Sequence, residues 1–321
     1  MNIIVIGAGL AGAACAYSLS LRGCEVTVIA QGGGASQLPV GLLAAHLSAQ
    51  DIELSQLSRI GVERTLLHAQ SLLTEGIDWQ PSILEQRLLF RSEKNARMIR
   101  AASQLPEWYE ATENTVLHKK AAWIKPQALV KAWLAQPGME MRDARVASLK
   151  AHSGAWQMLD AQGQLIAQAQ AVVIAAGAQM DTLLAGCGHP LITDNVSGSI
   201  ATGSWLGDWN ALTSYSITNG NGSFLSDIAN DEGGKFWASG ATYEREIFDS
   251  AQAMQAASKA ANHARLAQLL PPALHAAIHA QFISGQVQSW QGIRCTTSGR
   301  LPIVGELERG LTPAQPWARG A

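Results

Sequence analysis

Hydrophobic positions recur along this chain in two rhythms. An unbroken apolar run, Ile3-Ile4-Val5-Ile6, is followed by small residues up to Arg22-Gly23 and then by a second run, Val26-Thr27-Val28-Ile29. Such runs, dense in β-branched residues, predict two strands joined through a small-residue helix. Residues 51–75 instead place Leu54, Leu57, Ile60 and Leu66-Leu67 at helical intervals, which predicts a long amphipathic helix. Residues 79–90 read as strand, 92–105 as a helix with Ser92 as its N-cap, and 127–134 as a helix opened by Pro126. Between Arg145 and Gly177 three β-type runs are separated by Ser153-Gly154 and Asp160-Ala161-Gln162-Gly163, hairpin turns by composition. The last run is continuously apolar and stops at Gly177, so it predicts a strand returning to the first sheet. Residues 190–248, rich in Gly, Ser, Thr, Asn and Trp, predict antiparallel strands with long turns. Helices over 251–270 and 273–281, separated by Pro271-Pro272, precede strands from Gln286 to Cys295.

The β segments of the first unit thus lie on both sides of the middle of the chain, and the fold class is α/β with two interleaved domains. The pattern assigns residues 1–80, 121–189 and 286–321 to a Rossmann-like dinucleotide-binding domain. Residues 81–120 and 190–285 form an α+β substrate domain with an antiparallel sheet.

The first unit carries its own chemistry. Gly7-Ala8-Gly9-Leu10-Ala11-Gly12 is G-x-G-x-x-G between a strand and a helix, closed by a second strand, the context that motif needs. Gly7 permits the tight turn, Gly9 lets the backbone approach a pyrophosphate, and Gly12 lets the helix lie close on the sheet. The helix N-terminus offers free N–H groups and a positive dipole to the phosphates. The second strand ends Ile29-Ala30-Gln31. It lacks both the carboxylate that would bind ribose hydroxyls and an Arg that would suit a 2′-phosphate. The glycines alone therefore leave the dinucleotide unnamed. The Gly-rich loop from Gly32 to Ser36, running on through Pro39 and Gly41, suits close contact with a cofactor ring.

Composition narrows the setting. With 321 residues, 47% hydrophobic and 15% charged, the chain buries a sizeable core and is not disordered. A net charge of −2 gives no global attraction to nucleic acid or anionic membrane. An RNA substrate would need a local patch, for which Arg91, Lys94, Arg97 and Arg100 on one side of a helix are the candidates. A plain solvated helix face is the simpler reading. Four scattered cysteines without a C-x-x-C pair fit a reducing compartment. The first apolar run is broken by glycines and lacks a basic flank, and no apolar stretch approaches a membrane span. A cytoplasmic protein without a signal peptide is expected. His275 and His279 share the i, i+4 spacing of metal ligands. With no acid between them and no third ligand evident, an ordinary helix surface and no metal is expected.

Three further stretches are more specific than the glycine motif: Gly34 to Leu43, Val172 to Ala178, and Trp290 to Gly305, which contains Trp290-Gln291-Gly292-Ile293-Arg294. Together they resemble the FAD-dependent D-amino-acid oxidase superfamily, which includes glycine and sarcosine oxidases. Within it they are similar to the oxidase domain of the bifunctional enzymes that make 5-methylaminomethyl-2-thiouridine in tRNA. The resemblance covers nearly the whole chain. It implies FAD, a two-domain fold and oxidative cleavage of a C–N bond. In the tRNA enzymes that reaction removes the carboxymethyl group from a carboxymethylaminomethyl uridine.

Carried onto this sequence, the resemblance puts Gly7, Gly9 and Gly12 at the pyrophosphate. Gly34, Ala35 and Ser36, with Gly41 and Leu42, would run beside the flavin. Val146 would meet the adenine through its backbone, and Ala176 and Gly177 would pass near the cofactor. Arg294 falls where the family places an arginine facing flavin and substrate, and its planar fork suits a carboxylate; a structural salt bridge is the alternative. Tyr243, in Gly240-Ala241-Thr242-Tyr243, and Trp290 fall on the substrate side. Trp205, Trp209, Trp237 and Trp290 could wall a pocket or simply pack a core. His46, just past the flavin loop, is expected to make a structural hydrogen bond.

The implied substrate is a modified tRNA or a small carboxymethylamine. The alternatives are a glycine- or sarcosine-type oxidase and an inactive remnant. Gln37-Leu38 stands where the tRNA-modifying relatives tend to have Gly-Asn. The family pattern also continues after Gly305 with a strand, a second flavin loop resembling Met-Gly-Ser/Ala-Arg-Gly-Leu-Thr, and a helix. Pro316-Trp317-Ala318-Arg319-Gly320-Ala321 can be encoded so that a shifted frame reads Met-Gly-Ala-Arg-Gly-Leu. Residues after about Leu311 are therefore expected to be out of frame, which the codons of the gene test directly.

Overall fold

The structure is a computed structural model that describes residues 1–90, 92–191, 193–243, 250–297, 299 and 301–307. In chain order its elements are β1 (Asn2–Ile6), α1 (Leu10–Ser20), β2 (Glu25–Ala30), β3 (Gly41–Ala44), α2 (Glu53–Leu72), β4 (Trp79–Arg87), α3 (Glu93–Ser103), β5 (Tyr109–Ala111), β6 (Thr115–Ile124) and α4 (Pro126–Leu134). They continue with β7 (Met139–Asp143), β8 (Ser148–His152), β9 (Ala155–Leu159), β10 (Leu165–Ala169), β11 (Ala171–Ile174) and α5 (Met180–Gly186). The last are β12 (Asp194–Ser204), β13 (Ile217–Gly220), β14 (Gly222–Ala229), β15 (Lys235–Gly240), α6 (Ala251–Leu269), α7 (Pro272–Ile283) and β16 (Gln288–Thr296).

The chain divides into two units, each discontinuous in sequence. Unit 1 holds Met1–Gln37, Val130–Val196 and Ile293–Ala321; unit 2 holds Leu38–Leu129 and Ser197–Gly292. Residues 38–80, 121–129 and 286–292, which the sequence pattern placed in the dinucleotide-binding domain, group with unit 2, and residues 190–196, placed in the substrate domain, group with unit 1. Strand pairing accounts for the first two segments: β3 and β4 both lie against β6, which draws the chain after the Gly-rich loop into the large sheet.

Unit 1 is built on a parallel sheet in the order β11-β1-β2-β7. Its central strands, β1 and β2, are mostly apolar and largely buried because both faces are covered. Ile4, Ile6 and Ile29 pack into a cluster with Val146, just before β8, and with Leu149 and Met158 from the β8–β9–β10 layer. Val5, Val26 and Val28 turn the other way, toward Ala16 of α1. The apolar run that ends at Gly177 is β11, paired in register with β1 (Val5↔Val173). β7 joins the sheet beside β2 (Val28↔Met141), a strand the sequence pattern did not register.

The large sheet runs β16-β12-β15-β14-β13-β4-β6-β3, with β5 added to β6. Its pairings are antiparallel apart from the parallel β13–β4 pair among those with a defined register. In unit 2, Trp205, Trp209, Phe224 and Trp237 form a core with Leu266, Leu269, Leu274 and Ile278 of α6 and α7. Trp205, Trp209 and Trp237 are all less than one-tenth exposed, so they pack that core and do not wall an open pocket.

Candidate cofactor and substrate sites

The C-terminal edge of the parallel sheet is shaped by the three glycines. Gly7 takes φ 107°, and a Cβ there would sit 2.3 Å from the Ala175 carbonyl oxygen. A Cβ on Gly12 would sit 1.8 Å from the Gly7 oxygen. Neither position admits any other residue, and α1 can approach the sheet only because of them. Gly9 is the N-cap of α1. It supplies no side-chain acceptor, and the first turn of the helix contains no acid. The positive end of the helix is left for an anion.

Across the turn, Gly32, Gly33 and Gly34 all have positive φ. They lead into a short turn of 3₁₀ helix over Ala35–Gln37, and the Ser36 Oγ accepts from the Leu10 amide at 3.0 Å. Gly7, Gly9, Gly12, Gly34, Ala35 and Ser36 are thereby brought to one lip of unit 1. Ala176 and Gly177 follow directly on β11, where Ala175 N bonds Ile6 O at 2.8 Å. Val146 is buried in the cluster under the sheet. It also lines a cavity of about 610 Å³ together with Arg145, Ala147, Gln179, Thr182 and Leu183. A bare-backbone cradle at a helix N-terminus and a roomy cavity bordered by Val146 fit the pyrophosphate and adenine ends of a dinucleotide.

The remaining candidates belong to unit 2 or to strand β16. Gly41 and Leu42 lie on β3, opposite Ile124 and Trp123 of β6. Leu42, Ala241 and Trp290 pack against the same cluster, around Trp123, Ile200 and Ala238. Trp290, Gly292 and Arg294 alternate along β16 and so project to one side of the strand. Gly292 has a steric role: a Cβ there would lie 2.3 Å from the Trp290 ring, so the indole rests across a bare α-carbon. Arg294 is partly buried.

Tyr243 is 68% exposed, yet the chain leading to it is fixed. Thr242, Ser199 and Asn262 are each no more than 2% exposed. The Thr242 Oγ1 accepts from the Ser199 amide at 2.9 Å, and the Thr242 amide donates to the Ser199 oxygen at 3.1 Å. Asn262 Nδ2 donates to that same oxygen at 3.3 Å, and Arg265 Nη1 donates to the Ala241 oxygen at 3.1 Å. Sequence reasoning missed this clamp. Its one visible signal was Asn262, a residue that disfavours helix interiors, in the middle of an Ala-rich helix.

The His46 ring bonds Ser55 Oγ at 3.0 Å. His275 and His279 are joined by His263, whose Nε2 lies 2.9 Å from His279 Nδ1. Burial and then the two neighbouring imidazoles hold the His263 pKa below its ordinary value. Among the described residues no group of three or more His, Cys, Asp or Glu is placed to hold a metal ion. Partial burial raises the Cys15 and Cys187 thiol pKa values, which favours their protonated form. No helix among the described residues is long and apolar enough to cross a membrane. The tail after Leu307 and the Arg91 position lie outside the described residues.

Residues 2–317 match the family model for FAD-dependent oxidoreductases of the DAO type. The chain is 37% identical, over 95% of its length, to the tRNA 5-methylaminomethyl-2-thiouridine biosynthesis bifunctional protein MnmC of Polaromonas naphthalenivorans, of which it covers 51%. It is 38% identical, over 97% of its length, to the protein of the same name from Verminephrobacter eiseniae, covering 56%. The chain thus spans about half the length of the curated relatives it matches. Its fold is similar to that of glycine oxidase from Geobacillus kaustophilus, with a TM-score of 0.71, 21% identity, and 95% and 85% of the two chains covered. It is also similar to iminodiacetate oxidase from Chelativorans sp. BNC1, with a TM-score of 0.69, 20% identity, and 94% and 86% covered.

Proposed function

The chain belongs to the DAO family of FAD-dependent oxidoreductases, and from that premise we propose that it oxidises the C–N bond of a carboxymethylamine, removing the carboxymethyl group from a modified wobble uridine in tRNA. The observation that carries the tRNA reading is 37–38% identity, over at least 95% of this chain, to proteins named for that wobble-uridine modification. A cytoplasmic location accords with such a substrate.

In this reading the backbone at Gly7, Gly9 and Gly12 and the N-terminus of α1 hold the pyrophosphate, with Gly34, Ala35 and Ser36 beside it. Val146 borders the adenine, Ala176 and Gly177 pass the cofactor, and Gly41 and Leu42 belong to the flavin loop. FAD, when bound, supplies the two-electron acceptor for the carbon next to the amine nitrogen. Arg294 grips the substrate carboxylate through two parallel N–H donors and so fixes that carbon in place. Tyr243 and Trp290 contact the part of the substrate beyond the amine. Arg294→Lys keeps the charge but loses the fork. It is expected to raise KM for a carboxymethylamine by about tenfold or more, one bidentate contact being worth about 1.5–3 kcal/mol.

A second reading, oxidation of a free small amine, is favoured by the fold neighbours, which are named as glycine and iminodiacetate oxidases. Anaerobic bleaching of the flavin band separates the two. Bleaching by carboxymethylaminomethyl-modified tRNA supports the first reading, and bleaching by sarcosine or glycine alone sinks it. A purified chain that remains colourless after FAD is added supports the inactive remnant instead.

A further inference from the structure

We propose that α3 and Phe90, three residues before it, form an RNA-binding surface, with Lys94, Arg97 and Arg100 taking backbone phosphates and Phe90 stacking an unpaired base next to the modified uridine. The inference rests on the tRNA reading above and adds to it the place where the RNA is held.

The helix is amphipathic, with Met98 and Ala102 buried and Lys94, Arg97 and Arg100 exposed. The three cations recur every third residue, so they form a slowly drifting stripe along one side. The single acid on the helix, Glu93, lies 3.9 Å from the Arg97 Nε and is 83% exposed. A contact so long and so wet leaves the arginine available to a phosphate. Phe90 is 74% exposed, so its ring face is open to solvent. Its backbone is held in place, since the Asn95 side chain donates to the Phe90 oxygen and the Ser92 side chain caps the helix. An anchored, exposed aromatic ring beside a row of cations is the combination that single-stranded nucleic acid requires. The net charge of −2 makes a local stripe the means by which such a chain attracts RNA at all.

The sheet supplies an independent reason. β4 ends at Arg87 and runs parallel to β13, with Asn219 opposite Gln86. β13 ends at Gly220, where a Cβ would touch the Arg87 oxygen at 3.2 Å. The hairpin then returns along β14, whose Ser223 pairs with Gly240 at the end of β15. Arg87 and Gly240 therefore share one edge of the sheet, three strand spacings apart, or roughly 14 Å. Phe90 leaves the sheet three residues after Arg87, and Tyr243 leaves it three residues after Gly240. A uridine presented at Tyr243 would have its neighbouring nucleotides within reach of Phe90 and the cationic stripe.

The test is fluorescence anisotropy with a labelled anticodon stem-loop carrying the carboxymethylaminomethyl uridine, titrated at several salt concentrations. The K94E/R97E/R100E variant is expected to bind about tenfold or more weakly. Its salt slope should be smaller by about 2, because three fewer phosphates of a single strand are neutralised. Phe90→Ala should bind about tenfold more weakly with its salt slope unchanged, as loss of stacking demands. Both should keep wild-type thermal unfolding. K150E, a charge reversal at an exposed position of unit 1, should bind like wild type. Affinities within twofold of wild type for both α3 variants, or an equal loss in K150E, overturn the surface. Wild-type protein that bleaches with sarcosine yet does not bind the stem-loop overturns the tRNA reading itself, and the surface with it.

Discussion

Gly12 leaves no room for a side chain, because the atom it would meet is the carbonyl oxygen of Gly7, in the turn proposed to hold the pyrophosphate. Gly12→Ala must push α1 off the sheet, at about 1–3 kcal/mol or more. We expect flavin occupancy after purification to fall by at least tenfold, read from the visible absorbance ratio. With Trp290 on the substrate side, as proposed above, Gly292→Ala is expected to act on substrate instead. The new methyl displaces the Trp290 indole, so KM should rise several-fold while flavin content stays at the wild-type level. Thr242→Val leaves the buried Ser199 amide without its acceptor, a loss of about 1–3 kcal/mol. Thermal unfolding reports that loss, and faster amide exchange at residues 240–243 shows whether the base of the Tyr243 segment has loosened. The glycines were legible in the sequence because a motif with fixed offsets announces them. The clamp was not, because Ser199, Thr242 and Asn262 lie far apart in the chain and only the sheet and α6 bring them together.

At the scale of elements, legibility followed burial. β1 and β2 are the inner strands of the parallel sheet and read as apolar runs broken only by Thr27, and β11, half-buried at the end of the same sheet, is apolar throughout. β7 is the edge strand of the same sheet, and its Met-Glu-Met-Arg-Asp sequence has a partly wet pattern that no rule for buried strands detects. Capping was legible too: Ser92 does cap α3, its Oγ accepting from Asn95 N at 3.1 Å. Ser92→Ala should cost about 1 kcal/mol, seen as faster exchange of the first-turn amides. If the RNA surface is where we place it, the same change should also weaken stem-loop binding by less than the loss of Phe90 does.

At the scale of the whole molecule, one buried group ties stability to pH. His118 is 3% exposed. Its Nε2 lies 2.7 Å from Gln86 Oε1, while its Nδ1 has no partner. Burial lowers its pKa to about 4 from 6.5. Between those values the unfolded chain binds the proton and the folded chain does not, so this stability is complete above about pH 6.5 and drains away toward pH 4. The full swing is about 3 kcal/mol. Replacing His118 with Gln should flatten the dependence of unfolding free energy on pH across that window, as denaturant titrations would show. The unit boundaries were the part of the architecture least legible from the sequence, since β3 and β4 carry no mark of which sheet they join until β6 is placed between them.

The order of strands in the parallel sheet also sets a timetable. β1 finds β2 almost as soon as both are made, but its other neighbour is β11, with Ile3 opposite Ala171. During synthesis the open side of Ile3-Ile4-Val5-Ile6 must therefore wait on the order of ten seconds or more for its partner, at about 5–20 residues per second. A nascent chain with that apolar edge uncovered is a natural client for holding chaperones. The yield of native protein should then depend on how quickly the ribosome reaches residue 174, with slow codons in the intervening stretch favouring aggregation over a finished sheet.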